Sequence, residues 1–270
     1  MSVFLSVVVE TILIDSHCHL DSEEFKGDLD EVLERASNAG VKGIVSVAAG
    51  DGFKSAERVL ELSSRREGVF PATGLHPHDA DKALDKKSLL QFCSHSDVIA
   101  VGETGLDFFR ESASAEGQER WFRAHIEVAL EVGKPIIVHS RNAERRCFEI
   151  LREMGAEAVG GVFHCYGGDS ILVRELAKLN FMVSFTGVVT FKNAKKVREV
   201  VSKVPLDQLL VETDAPYMSP EPYRGQRCES AFLVETAAKI AEIKGVSFKD
   251  CAEKMTRNTK QLFGIDLPCK

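Results

Sequence analysis

A chain of 270 residues with 44% hydrophobic and 28% charged residues can bury a sizeable core, which excludes an intrinsically disordered protein. A formal net charge of -7 excludes a body coated in positive potential, although a local basic groove would still admit nucleic acid. The seven scattered cysteines are odd in number and include no C-x-x-C, so they read as reduced intracellular thiols rather than a disulfide framework.

In chain order, the opening "MSVFLSVVVE" (residues 1–10) is apolar but has no basic start, meets Glu10 early and offers no small-residue cleavage site. It reads as an N-terminal extension, an added strand or a loose end, rather than a signal peptide, and it is too short to span a bilayer. "ILID" is strand-like, and Leu29, Val32, Leu33 and Ala36 then recur at helical spacing. "GIVSVAA" precedes the helical "SAERVLELSSRR", and "FPATGLH" precedes a helix around "KKSLLQFC". "VIAVGETG" leads to the long helix "AEGQERWFRAHIEVALEVG", and "PIIVHS" to "AERRCFEILREMG". "GGVFHCYGG" gives way to "SILVRELAKLN", and "FMVSFTG" to "AKKVREVVSKV". "LLVETDAP" is followed by "AFLVETAAKIAEIKG" and a C-terminal helix, "SFKDCAEKMTRNTKQLFG".

Eight strand-then-helix units, with strands apolar almost throughout, predict a parallel sheet buried on both faces and closed into an α/β (β/α)8 TIM barrel. No G-x-G-x-x-G opens the first helix, which disfavours an open doubly wound sheet. No linker or low-complexity run divides the chain, so one domain is expected over residues 1–270. The thiols and the N-terminal pattern give the expectation of a soluble, cytoplasmic protein, and with no extended apolar helix face left unassigned a monomer is expected.

Chemistry in such a barrel sits at the C-terminal ends of the strands. Of the eight histidines, six fall there. His17 and His19 end the first strand, His76 and His78 follow the third, and His139 and His164 end the fifth and sixth. His95 and His125 lie in a loop and a helix. Glu103 ends the fourth strand and Asp214 the eighth. Side chains alternate along a strand, so His17 and His19 face the same way while Cys18 packs outward.

A catalytic zinc needs three protein ligands plus water. His17, His19, Glu103, His139, His164 and Asp214 are too many for one such site, and they suit two divalent ions about 3.5–4 Å apart, bridged by a carboxylate. Glu103 is the better bridge, on a central strand between the two groups of histidines. Asp15 is expected to hold a histidine tautomer from behind. Asp214 would both bind metal and take the proton from the attacking water.

The segments "DSHCHL", "GLHPHDA", "GETGLDFFR", "PIIVHSR", "VFHCYGG", "ETDAPY" and the Arg-Gly-Gln-Arg and Glu229 of "RGQRCES" together resemble the signature of the TatD-related metal-dependent deoxyribonucleases. That family lies within the amidohydrolase-like metal-dependent TIM barrels, and the resemblance runs from about Ile14 to "NTKQLFG". It implies one metal held by His17, His19, Glu103 and Asp214, and another by Glu103, His139 and His164. It further implies magnesium, manganese or zinc in the site and DNA hydrolysis, including 3′→5′ exonuclease activity. Removal of D-amino acids from mischarged tRNA is a second activity associated with the family. Where the family pattern reads R-G-K-R-N-E-P, this chain has Gln226, Cys228 and Ser230, which bears on substrate preference more than on chemistry.

Among the remaining candidates, His76 is placed to meet a phosphate oxygen or the leaving group, and Arg224 and Arg227 to clamp phosphate with planar donor forks. His78 is directed by the rigid Pro77, and Arg110 and Arg141 are weaker phosphate ligands. Phe108 and Phe109 are candidates to stack on a base, with one of the two expected to be free and the other packed. Asp107 either orients a water or caps a loop. Cys165 should point away from the metals and Trp121 should pack in its helix. The basic run "KNAKKVREVVSK" (192–203) reads as the solvated face of a helix.

The leading reading is a two-metal phosphodiesterase, a DNA exonuclease acting on single strands or ends. A D-aminoacyl-tRNA deacylase, or a small-molecule amidohydrolase or lactonase, would use the same site. Ordinary binuclear amidohydrolases often bridge their metals with a carboxylated lysine, whereas the fourth strand here offers Glu103. A non-catalytic, metal-stabilised nucleic-acid-binding protein is the third possibility, disfavoured by a full set of open-site ligands.

Overall fold

The computed structural model describes residues 11–82, 85–110 and 112–267, so residues 1–10, and with them the expected extension or extra strand, lie outside the described residues. Eight parallel strands run in sequential order: β1 (Leu13–Cys18), β2 (Val41–Val47), β3 (Val69–Thr73), β4 (Ala100–Asp107), β5 (Ile136–Arg141), β6 (Gly161–Phe163), β7 (Phe181–Phe185) and β8 (Leu209–Val211). The seam between β8 and β1 is closed by hydrogen bonds from the Asp214 N–H to the His17 carbonyl (3.0 Å) and from the His19 N–H to the Ala215 carbonyl (2.8 Å). The Ser16 hydroxyl adds a bond to the Val211 carbonyl at 2.9 Å. This is the expected (β/α)8 barrel.

The helices are α1 (Leu29–Asn38), α2 (Phe53–Ser64), α3 (Lys86–Cys93), α4 (Ala115–Val132), α5 (Glu144–Glu153), α6 (Ser170–Lys178), α7 (Lys195–Lys203), α8 (Leu233–Lys244) and the C-terminal α9 (Phe248–Phe263). Several starts are capped as their sequences require. The side chains of Asp85, Ser114, Asp169 and Ser247 each accept a backbone N–H of the first turn. None of the helices among the described residues is long and apolar enough to cross a membrane. The six described cysteines are all free thiols.

A buried cluster that includes Ile14, Val45, Val47, Ala72, Ala100, Ile137, Val162 and Leu210, with Met182 packed against it, draws on every strand. Such a cluster lies inside the barrel, and Phe263 and Ile265 from the C-terminal end of the chain join it. The same faces, two residues further on, deliver the site: Ile137 predicts His139, Val162 predicts His164, and Leu210 predicts Glu212. In β1 and β4 that phase is broken. The pairing register shifts between Asp15 and Cys18 on β1, and between Val101 and Thr104 on β4. Ile14 and Ala100 therefore share the inner face with His17, His19 and Glu103, although simple alternation would separate them.

His125, fully buried in α4, accepts the Leu75 N–H on Nε2 (2.8 Å) and donates Nδ1–H to the Trp121 carbonyl (2.7 Å). Burial pulls its pKa from 6.5 to about 4, so the fold holds it neutral. The unfolded chain binds the proton first, so stability is lost as pH falls from 6.5 to about 4, by about 3 kcal/mol across the window. Urea unfolding of the parent and a His125→Gln variant at pH 7.5 and 4.5 should show the difference between them shrinking at the lower pH. A difference independent of pH would remove this assignment.

Candidate metal centre

Glu103 stands at the middle of the barrel mouth, 1% exposed, and its two oxygens face two groups of ligands. Oε1 lies 2.6 Å from His139 Nδ1, 2.7 Å from His164 Nε2 and 3.5 Å from His76 Nε2. Oε2 lies 3.4 Å from His17 Nε2 and 3.8 Å from His19 Nε2. Asp214 Oδ1 closes the second group, 3.3 Å from His19 Nε2 and 3.8 Å from His17 Nε2. A close glycine makes room for this: β4 passes β5 at Gly105 (φ 140°), where a Cβ would collide with the carbonyl oxygen of His139.

The donor set fits a cation. His17 Nε2 and His19 Nε2 point at each other across 3.3 Å. Glu103 Oε2 is buried with no hydrogen-bond partner, which costs about 1–3 kcal/mol unless something positive meets it. Donors of His17, His19 and Asp214 lie within 4.8 Å of one another, as do those of His76, Glu103 and His139, and those of His17, His164 and Glu212. Between these side chains alone, protons take the place of positive charge. Burial opposes a charge on His19, but Asp214 and Glu103 hold its pKa up at about 9. Burial likewise opposes ionisation of Glu103, yet His164 and His76 keep it well below the usual carboxylate range. His76, by contrast, is pushed down to about 3 by burial.

His19 and His139 are aimed by what holds their other nitrogen. His19 Nδ1 donates to the Val47 carbonyl at 2.9 Å. His139 Nε2 lies 3.3 Å from Asp107 Oδ2, and His164 Nδ1 lies 3.5 Å from Glu212 Oε1. The sequence pattern assigns the holding of a histidine tautomer to Asp15, but the Asp15 carboxylate turns to the seam instead. It accepts the Thr213 N–H (2.9 Å), the Thr213 hydroxyl (2.6 Å) and the Ser230 hydroxyl (2.7 Å), and reaches only the backbone N–H of His17, at 3.4 Å. The register shift that turns His17 inward also keeps the Asp15 carboxylate off its ring, whose Nδ1 has no partner. Burial lifts the Asp15 carboxyl to about 7.

The sequence profile of TatD related DNases matches residues 14–264. The chain belongs to that family. This TatD-family protein is 41% identical to an uncharacterized metal-dependent hydrolase, YabD, from Bacillus subtilis (94% of this chain, 100% of the relative). It is 30% identical to a 3′-5′ ssDNA/RNA exonuclease TatD from Klebsiella pneumoniae (94% and 99%). Its fold superposes on the crystal structure of YJJV, a TatD homologue from Escherichia coli K12, with a TM-score of 0.88 at 31% identity (94% and 98% covered). The chain is thus a metal-dependent hydrolase of the TatD type, with His, Glu and Asp clusters able to bind metal.

Around these clusters opens a cavity of about 550 Å³, whose lining includes His76, His78, Asp107, Arg58, Arg110 and Arg141. The two arginines expected to clamp phosphate are not among its lining residues. Arg227 is engaged by Asp28 (both contacts 2.7 Å) and the Glu24 carbonyl (2.6 Å), and Arg224 lies over the Phe191 ring at 3.8 Å. His76 lines this cavity and also reaches the cluster, its Nε2 3.5 Å from Glu103 Oε1. Phe108 and Phe109 both stand exposed (43% and 59%), not one packed and one free, and Arg141 lies over Phe109 at 3.9 Å. Trp121 is buried in α4, and the Cys165 thiol turns to Thr186. Lys192, Lys195 and Lys196 of the basic run are exposed, as a solvated helix face requires.

Sequence reasoning passes over Glu212, Arg58 and Tyr217 of this TatD-family site. Glu212 accepts the Cys165 N–H (2.6 Å) and the Ser184 hydroxyl (2.5 Å) beneath His164. A carboxylate two residues before Asp214, on the same strand face, is the signal that could have found it. A Glu212→Gln variant should lose about 10–100-fold in metal affinity, read by calorimetric titration of stripped protein, because His164 loses its carboxylate support. Unchanged affinity would make Glu212 purely structural.

Proposed function

We propose that this protein is a two-metal phosphodiesterase that shortens single-stranded DNA from its 3′ end. The observation that carries the reading is the division of Glu103, one oxygen towards His139, His164 and His76 and the other towards His17, His19 and Asp214. Magnesium, manganese or zinc ions bound there would lower the pKa of water and neutralise charge developing on phosphate. Asp214, which His19 keeps ionised against burial, accepts the proton of the attacking water as its oxygen bonds to phosphorus. The P–O bond to the departing nucleotide breaks, and its alkoxide takes a proton from solvent at the open mouth.

Nucleic acid suits the rim. Arg110 and Arg141 line the cavity and offer donors to backbone phosphates, while Arg58 beside them is held by Asp21 (3.0 Å) and Asp51 (3.3 Å). Four of the six large apolar side chains that stand exposed among the described residues, Phe108, Phe109, Tyr217 and Met218, follow β4 or β8 at this mouth. Exposed rings there stack on unpaired bases, whereas a small lactone or amide has no use for them. The similarity to a relative named a 3′-5′ ssDNA/RNA exonuclease supports the same substrate.

The test is stepwise shortening of 3′-labelled and 5′-labelled single-stranded DNA by metal-stripped protein, with magnesium, manganese or zinc restored. A D-aminoacyl-tRNA runs alongside. Metal-dependent shortening from the 3′ end, lost in His139→Ala, is expected. Intact DNA with rapid loss of the aminoacyl ester would keep the metal centre and overturn the substrate.

A further inference from the structure

Asp107 ends β4 and is 1% exposed, yet it belongs to neither ligand group. Its two carboxylate oxygens do different work. Oδ1 accepts the N–H of Phe109 and the N–H of Arg110, each at 2.9 Å, and so fastens the turn that presents Phe109 and Arg110 at the mouth. Oδ2 lies 2.9 Å from His78 Nε2 and 3.3 Å from His139 Nε2. The backbone of Asp107 is itself held by the Gln118 side chain of α4. That amide accepts the Asp107 N–H at 2.7 Å and donates to the Asp107 carbonyl at 3.2 Å. One residue, clamped at its backbone, thus carries the rim on one oxygen and an imidazole of the cluster on the other.

We propose that Asp107 is a positioning residue that sets the tautomer of His139 and couples the metal cluster to the substrate-facing turn 108–110. Because Oδ2 is an acceptor, the proton on His139 Nε2 is kept there. The nitrogen that sheds its proton to a cation is then Nδ1, the one 2.6 Å from Glu103 Oε1. Because Oδ1 is bonded to the same carboxylate carbon, a shift of His139 moves the Arg110 turn with it. Geometry for phosphate and geometry for the cation therefore stay in register.

The inference rests on the reading of the cluster as a cation site, and its test does not depend on what the enzyme cleaves. In zinc-loaded protein carrying ¹⁵N-histidine, His139 should show a slowly exchanging proton on Nε2 and none on Nδ1. Asp107→Asn keeps an acceptor for the turn but turns an N–H donor towards His139, so its ring proton should move to Nδ1. Titration of metal into the stripped variant should then show about 10–100-fold weaker binding at one site. In whatever substrate the parent hydrolyses, kcat should fall with KM nearly unchanged, whereas Asp107→Ala, which frees the turn as well, should also raise KM. A parent His139 protonated on Nδ1, or an Asp107→Asn protein with parental metal affinity and histidine spectrum, would overturn the proposal. The parent spectrum decides the matter even if a variant fails to fold. Loss of DNA cleavage with these spectra intact would overturn the substrate alone.

Discussion

An Asp214→Asn variant is expected to lose about 10²–10⁴ in kcat while binding single-stranded DNA as the parent does. The amide is the same shape as the carboxylate and keeps an oxygen to face His19 Nε2, now at 3.3 Å, but it cannot take a proton from water. The cavity arginines Arg110 and Arg141 are untouched. Single-turnover cleavage together with fluorescence anisotropy of a labelled oligonucleotide separates the two effects. Cleavage at the parental rate would take Asp214 out of the mechanism, and parallel loss of binding would make it a substrate contact.

Glu103→Gln should be the more damaging change. The carboxylate is the one group shared by both halves of the cluster, and its two oxygens face five imidazoles, those of His17, His19, His76, His139 and His164. An amide offers one acceptor oxygen and an NH2 group, so one half meets an N–H where it needs a lone pair. Activity should fall by about 10³-fold or more, roughly 4 kcal/mol in the barrier, and the protein should retain fewer ions after dialysis. Elemental analysis of parent and variant checks the second point. A variant with parental metal content and rate would mean that Glu103 is not the shared ligand.

Much of this is legible in the sequence because the barrel obeys period-two alternation where its strands are regular. Ile137 and His139, and Val162 and His164, stand on one face, so apolar core and ligand can be read together. The register shifts of β1 and β4 cannot, since a local two-for-one pairing leaves no mark in hydrophobicity. For that reason the sequence directs Asp15 to an imidazole, when it braces the β1–β8 seam through Thr213 and Ser230. Arg227 matches a motif at the level of residue type. Its partner Asp28 lies next to the start of α1, 199 residues away in sequence, and only the closed barrel brings them together. The rim residues Arg58 and Tyr217 have no spacing signal, because loops from different units meet there.

The central claim, two ions sharing Glu103, is most directly met by titrating stripped protein with manganese under electron paramagnetic resonance. Two ions per chain are predicted, with the free-ion signal lost and a spin-coupled spectrum appearing as the second binds, since one carboxylate joins them. A single ion per chain, or two that remain magnetically independent, would contradict the account.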